Sequence, residues 1–417
     1  MQKKLIALAV AGLASTGAFA QSNVTVYGVA DATYDVVKVS SSTTATNDVG
    51  NMNRVSTNSS LIGFKGAEAL GNGLTAVFQF ESGVAFDGAG ALGATRDSYV
   101  GLASGFGTVV AGNLTGPTRA LGIAMDVNAG ATGIGANSAL LGKLGNNLLN
   151  STDANSVYAI TPSTTDVVDL TGTKIGTTKP GAAPNTTCSR SGTCASIFDT
   201  RWKNAIAYVS PTFYGLNVTA AYVANEGKDT KGKAYDGKQI STQGYDIGAK
   251  YANGPILAGL TYNAVSLNNG ANYAAGVPAD TSVSDLRAGA SYDFGIASIR
   301  GLYDQAKAKK YLAAGDVKQS VWGLGGTFNV TPAGKLIGQF YKANQVKVAG
   351  ASLANTGAKL YELGYEYSLS KRTMLKAVYS TIHNDDAAKY DFGVNATGLA
   401  AAGSTVSGVS LGLRHTF

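Results

Sequence analysis

The sequence predicts an all-β chain: a 16-stranded antiparallel transmembrane β-barrel with a long third loop folded into the lumen. Three observations lead there: a two-residue apolar alternation along most of the chain, a regular exchange of tight turns with long polar loops, and an export signal at the start. The stretch "KLYELGYEYSLSKRTMLKAVYS", residues 359–380, shows the first. Tyr361, Leu363, Tyr365, Tyr367 and Leu369 fall on every second position, with Glu362, Gly364, Glu366 and Ser368 between them. A period of two marks a half-buried strand and is incompatible with a helical face.

The same alternation recurs. In "DLRAGASYDFG", Leu286, Ala288, Ala290, Tyr292 and Phe294 share one face, and Asp285, Arg287, Gly289, Ser291 and Asp293 the other. In "SVWGLGGTFNV", Trp322, Leu324 and Phe328 oppose Val321, Gly323 and Gly325. The ending "VSLGLRHTF" sets Val409, Leu411, Leu413, His415 and Phe417 against Ser410, Gly412 and Arg414. Each run has the roughly 9–11 residues that a tilted membrane strand needs. A soluble sandwich also alternates, but its strands average about 5–6 residues. It would also bury one face in a dry core, where Glu362 with Glu366, or Asp285 with Arg287 and Asp293, are costly.

Connections alternate in kind. Tight turns are expected at 71–73, 105–107, 210–215, 252–255, 293–296, 331–334 and 368–372, each carrying Gly, Pro, Asn or Ser signals. Long loops are expected at 38–53, 86–95, 116–200, 227–240, 268–281, 306–317, 346–358 and 386–404. Short turns at one end and long loops at the other describe a closed outer-membrane barrel. Closure is required because an unpaired strand edge leaves peptide groups without partners in hydrocarbon. The oily face then meets lipid, and carboxylates and small residues face a lumen. The third loop spans some eighty residues, and its first part, "TGPTRALGIAMDVNAGATGIGANSALLGKLGNNLLN", is richer in Leu, Ile, Val and Met than the other loops. It therefore has reason to pack against the inner wall and narrow the water path.

"MQKK", the apolar run "LIALAVAGLA" and "STGAFA" before Gln21 form a positive end, an apolar middle and a small-x-small cleavage site, so residues 1–20 are expected to be a signal peptide and 21–417 one barrel domain. Removing Lys3 and Lys4 with no acid lowers the formal charge from +7 to +5. That charge is spread without a Lys/Arg block, so nucleic acid is not an expected partner. Cys188 and Cys194 are too few for a disulfide framework and sit on no metal spacing. In an oxidising compartment they are expected to pair, free thiols being the alternative.

On "VTVYGVADA" near the start, "SLIGFKGAEALGNGLTAVFQFESG" at 60–83, "RDSYVGL" at 96–102, "FGTVVAGN" at 106–113, "RWKNAIAYVSPTFYGLNVTAAY" at 201–222, "YELGYEYSLSKRT" at 361–373 and the final "GLRHTF", the chain resembles the general diffusion porins of Gram-negative outer membranes, β-proteobacterial type. The resemblance implies a homotrimer of barrels in lipid and lipopolysaccharide. Each barrel would pass small hydrophilic solutes and inorganic ions, be constricted by the third loop, and be assembled through a terminal aromatic signal matching Phe417. It also implies a ladder of wall arginines facing acids on the inserted loop. Arg96 and Arg201 match such arginines, and Leu61 stands where relatives carry another, with Lys65 on the same face to replace it. Lys203 shares the face of Arg201 by alternation, and Asn113 stands where an arginine is common. Asp126 is the first candidate for the facing acid and Asp153 the second. These cations and the mature charge together predict a mild anion preference.

Catalysis is not expected. His383 could pair with Ser380, but nothing resembles a nucleophile elbow, and His415 faces lipid by parity. No cofactor or metal motif occurs, and the glycines of "GLGGTF" are better explained by close backbone approach than by a phosphate cradle. The remaining alternatives are a substrate-preferring channel, or a surface receptor or adhesin working through its loops.

Overall fold

The structure is a computed structural model describing residues 23–88, 92–144, 196, 198–224, 240–269, 281–312 and 315–417, with a short strand pair at Val167–Val168 and Lys174–Gly176. The export segment 1–20, Asp153, Cys188 and Cys194 lie outside the described residues. One sheet of nineteen segments dominates. Two segments, Lys347–Val348 and Ala351–Ser352, form a small hairpin inside a loop. Two others make a single wall strand, leaving a closed barrel of 16.

The wall runs β1 (Asn23–Ser40), β2 (Val49–Thr57 continuing as Leu61–Gly71), β3 (Leu74–Gly83), β4 (Ser98–Ser104) and β5 (Gly107–Thr115). It continues with β6 (Arg201–Val209), β7 (Leu216–Val223), β8 (Ile240–Asn253), β9 (Ile256–Asn269) and β10 (Thr281–Asp293). The last six are β11 (Ala297–Leu312), β12 (Gly315–Asn329), β13 (Gly334–Ala343), β14 (Ala358–Ser368), β15 (Thr373–Asn384) and β16 (Thr405–Thr416). Each pairs antiparallel with the next, and β16 returns to β1 from Val29↔Thr416 to Ser40↔Thr405. Phe417 completes the seam: its N–H donates to the Gly28 carbonyl and its carbonyl accepts from the Gly28 N–H, both at 3.1 Å. Its ring lies where a Gly28 side chain would begin. The break in β2 is sealed by side chains. Asn58 Nδ2 donates to Asp31 Oδ1 (3.2 Å) and Thr33 Oγ1 (2.9 Å), and Ser60 Oγ both accepts from Asp31 N–H and donates to Asp31 O at 2.9 Å.

The faces follow the alternation. Tyr361, Leu363, Tyr365 and Tyr367 are exposed on the outer surface while Glu362 and Glu366 are buried inside. All seven tight turns fall at the expected positions. The loop expected at 306–317 does not exist as such: β11 continues to Leu312 and β12 begins at Gly315. There the outer face passes from Tyr303 to Gln305, Lys307 and Lys309, while Asp304, Ala306 and Ala308 stay buried within. A ladder needs backbone pairing and no oil, so the ribbon keeps its strand geometry after its outer residues turn polar.

The inside is less wet than alternation alone implies. The third loop opens with helix α1 (Pro117–Met125), for which Pro117 at the first helical position is pre-set. It lies against a track of glycines on the inner wall. A Cβ on Gly248 of β8, Gly259 of β9, Gly289 of β10 or Gly325 of β12 would meet Pro117, Leu121, Met125 or Val127 at 2.6–2.8 Å. These glycines let the helix approach the sheet backbone. The eighth loop, 385–404, also turns inward: Ala388, Tyr390, Phe392 and Ala396 are fully buried. A Cβ on its Gly393 would strike Ser138 and Ala139 of the third loop. Leu140, Leu141, Tyr390 and Phe392 join inward-facing Val37, Val321, Ile337, Tyr341, Leu360, Ile382 and Val406 in one apolar cluster inside the wall.

Candidate functional site

Charged side chains gather where β3, β4 and β6 meet the base of α1. Glu81 of β3 accepts from Tyr27 Oη–H (2.8 Å) and Gln79 Nε2 (3.1 Å), and lies 3.5 Å from Arg96 Nε. Arg96 is fixed through its backbone: its N–H donates to Glu81 O (3.1 Å), and its carbonyl accepts from Asn113 Nδ2 (2.8 Å). Arg201 Nε donates to Asp97 Oδ1 at 3.1 Å, and the same carboxylate accepts from Thr115 N–H (2.7 Å) and Oγ1 (3.1 Å). Arg119, on the first turn of α1, lies within electrostatic reach of both Arg96 and Arg201. Burial, with Arg201 beside it, lowers its pKa to about 10, so it stays charged at neutral pH. Burial and Arg201 lower that of Arg96 too.

The other residues singled out from the sequence are more scattered. Lys65 holds its ammonium 5.0 Å from the centre of the Tyr27 ring, which in turn bonds Glu81, so it borders this group. Lys203 is half-buried and is not a free cation. Alternation does not carry from Ala205 and Ala207 back to Arg201 and Lys203. Asn204 is left-handed (φ +53°), and Trp202 is buried with its Nε1–H on inward Asp246 (3.2 Å). The pairing of β5 with β6 also shifts register between Gly112 and Leu114. Asp126 does not pair with the arginines. Its carboxylate accepts from Asn137 N–H (2.6 Å), Asn128 N–H (2.8 Å) and Gln339 Nε2 (3.3 Å), folding the loop just after α1. Burial raises its pKa. The acids beside Arg96 and Arg201 are the wall's own Glu81 and Asp97.

Sequence reading placed Arg287 on an inner face but missed what it holds. Fully buried on β10, it donates to Asp304 Oδ1 (2.8 Å), Asp199 Oδ1 (2.9 Å) and Oδ2 (3.2 Å), and the Thr118 carbonyl (3.1 Å). Thr118 and Asp199 sit near the two ends of the third loop, so one guanidinium ties both to the wall. Asp246 of β8 adds a second tie, accepting from Thr118 Oγ1 at 2.6 Å. Three buried acids converging on an inward arginine in the "DLRAGA" strand were legible only as parity. Their loop partner Asp199 lies far away in sequence.

The pattern described as Gram-negative porin matches residues 7–387. Over 100% of both chains the sequence is 30% identical to outer membrane porin protein 32 of Delftia acidovorans. It is 39% identical over 136 residues, 32% of this chain and 37% of the other, to the major outer membrane protein P.IB of Neisseria gonorrhoeae. Among solved structures, the anion-selective porin from Comamonas acidovorans superposes with a TM-score of 0.67 at 26% identity, covering 95% of this chain and 100% of that one. The closed wall, its oily exterior and this full-length likeness agree: the chain belongs to the Gram-negative porin family and is a β-barrel of the outer membrane.

Proposed function

We propose that the protein is a water-filled channel for passive diffusion of small hydrophilic solutes and ions, with a mild preference for anions. The observation that carries this reading is that Arg96, Arg119 and Arg201, beside the base of the third-loop helix, outnumber their acids Glu81 and Asp97 by one charge, while packed loops line the wall from β12 to β16. Water and solutes then pass along the charged side, where cations raise the local concentration of anions. The anion selectivity in the name of the Comamonas structure supports the sign.

The described part of the third loop, 116–144, is read as the constriction, with Arg96, Arg201, Lys65 and Lys203 around it. Asp126 acts there as a brace of the loop. Phe417, hydrogen-bonded into the barrel seam, is read as the terminal assembly signal. Three such barrels are read as one homotrimer in lipid and lipopolysaccharide. Inward packing of the eighth loop argues against that loop working as a surface receptor. Conductance of the purified protein in planar bilayers, with reversal potential in a KCl gradient, tests the reading. Ohmic conductance with anions favoured is expected, and an absence of conductance or a clear cation preference overturns it. Liposome swelling without saturation separates general diffusion from a substrate-preferring channel.

A further inference from the structure

Three cations and two carboxylates make up the charged group, and they are not equivalent. Arg96 lies against Glu81 and Arg201 bonds Asp97, so each wall arginine is locally balanced by its own acid. Arg119 has no such neighbour: among the described residues no carboxylate comes within ion-pair distance, and its buried Nε has no hydrogen-bond partner. Asp199, the other acid in its field, is already held by Arg287 at 2.9 and 3.2 Å.

The side chain is also well placed. Thr118, Leu121, Gly122 and Met125 form the face of α1 that is buried on the wall. Arg119 lies on the remaining face with exposed Ala120 and Ile123. The backbone beneath it cannot drift, because the Thr118 N–H and hydroxyl both bond Asp246 and the Thr118 carbonyl bonds Arg287.

We infer that Arg119, carried by the loop and not by the barrel wall, is the uncompensated cation that sets the anion preference of this channel. The inference rests on the anion-preferring reading above. A passing anion sees the Arg96–Glu81 and Arg201–Asp97 pairs as dipoles whose fields fall off quickly, and Arg119 as a net charge. Across about 5 Å of water-like medium one unit charge raises the occupancy of an anion roughly fourfold and lowers that of a cation by the same factor, so their ratio changes by roughly fifteenfold.

The test compares reversal potentials in a KCl gradient for full-length protein and four variants. Arg119→Gln alone is expected to lower the anion-to-cation permeability ratio by roughly fifteenfold, and Arg119→Lys to preserve it. The charge-balanced doubles Glu81→Gln with Arg96→Gln, and Asp97→Asn with Arg201→Gln, are expected to keep the parent ratio although each removes a wall arginine. Unit conductance of every variant, measured in the same recordings, shows that the barrel is intact. An Arg119→Gln channel as anion-selective as the parent overturns the inference. So do doubles that lose selectivity while Arg119→Gln does not. A parent without anion preference overturns instead the reading on which it rests.

Discussion

Replacing Arg287 with Met should loosen the third loop without opening the wall. The guanidinium makes four hydrogen bonds, to Asp304, twice to Asp199 and to the Thr118 carbonyl, and its Nε also stands 3.8 Å from Asp285. Met fills much of the same volume but leaves Asp199, Asp285 and Asp304 buried with no cation among them. Removing one partner of a buried ion pair costs about 3–5 kcal/mol, because the remaining charges have no solvent to return to. At about 1.4 kcal/mol per factor of ten, the docked loop loses roughly a hundred- to a few-thousand-fold of its advantage over released states. The wall itself keeps its backbone ladder, since Arg287 pairs with Thr261 and Asp304 through the main chain whatever its side chain. Single-channel recordings should therefore show a conducting barrel with frequent stepwise fluctuations in place of a steady level. Limited proteolysis should cut within 116–200 much faster than in the parent. Arg287→Lys should fall between the two, because a single ammonium cannot reach Asp304, Asp199 and Thr118 as the planar fork does. Steady parental conductance together with parental protease resistance in Arg287→Met would refute the reasoning and place the loop's anchorage elsewhere.

Lys143 of the third loop is fully buried, and among the described residues its ammonium has no hydrogen-bond partner. Burial lowers its pKa from 10.5 to about 7, against the pull of Asp391 and Asp199. Its folded-state pKa lies below the unfolded one, so the charged form is the destabilising one. The penalty is full below about pH 7 and fades as pH rises toward 10.5. Lys143→Met should thus gain on the order of a few kcal/mol at pH 6 and almost nothing near pH 10.5, read as the pH dependence of thermal unfolding; equal gains at both pH values would contradict this. Phe392→Ala empties a fully buried site between the eighth and third loops. It should cost about 3–5 kcal/mol and raise unit conductance, and an unchanged conductance would show that the eighth loop does not limit the path.

The wall was legible because lipid on one side and water or packed loops on the other act on every second residue. Tyr361 to Leu369 and Leu286 to Phe294 are assigned to the outer face by parity alone. Where a different force takes over, the pattern stops informing. Lys307 and Lys309 read as loop because oil had ended, yet strand pairing had not: Lys307 opposes Lys318 of β12 and Lys309 opposes Ser282 of β10. The eighth loop reads as solvated from its Asn, Asp and Gly content. Those residues are what permit its burial. Asp391 accepts from the N–H groups of Phe392, Thr397 and Gly398, and Asn384 Oδ1 accepts from Tyr390 N–H, so backbone that would otherwise need water is satisfied within. Arg201 was matched by resemblance, but its alternation fails at a single left-handed residue, Asn204. Arg119 lies on a helix and not on a strand, so the alternation that marks the wall cations says nothing of it. "PTRALGIAM", with proline followed by apolar residues four apart, carried the helical signal that would have found it.

The seam between β16 and β1 bears on how such a chain is made. Phe417 bonds to Gly28, and the sixteenth wall strand to the first, so until β16 has been made and exported every growing sheet has two raw margins. No fragment of the ribbon can rest in a bilayer on its own terms, since each missing neighbour strands a row of peptide dipoles in oil. Insertion is therefore bound to be nearly all-or-none, and the half-made chain must be kept apart from membranes and from its siblings until β1 and β16 are free to meet.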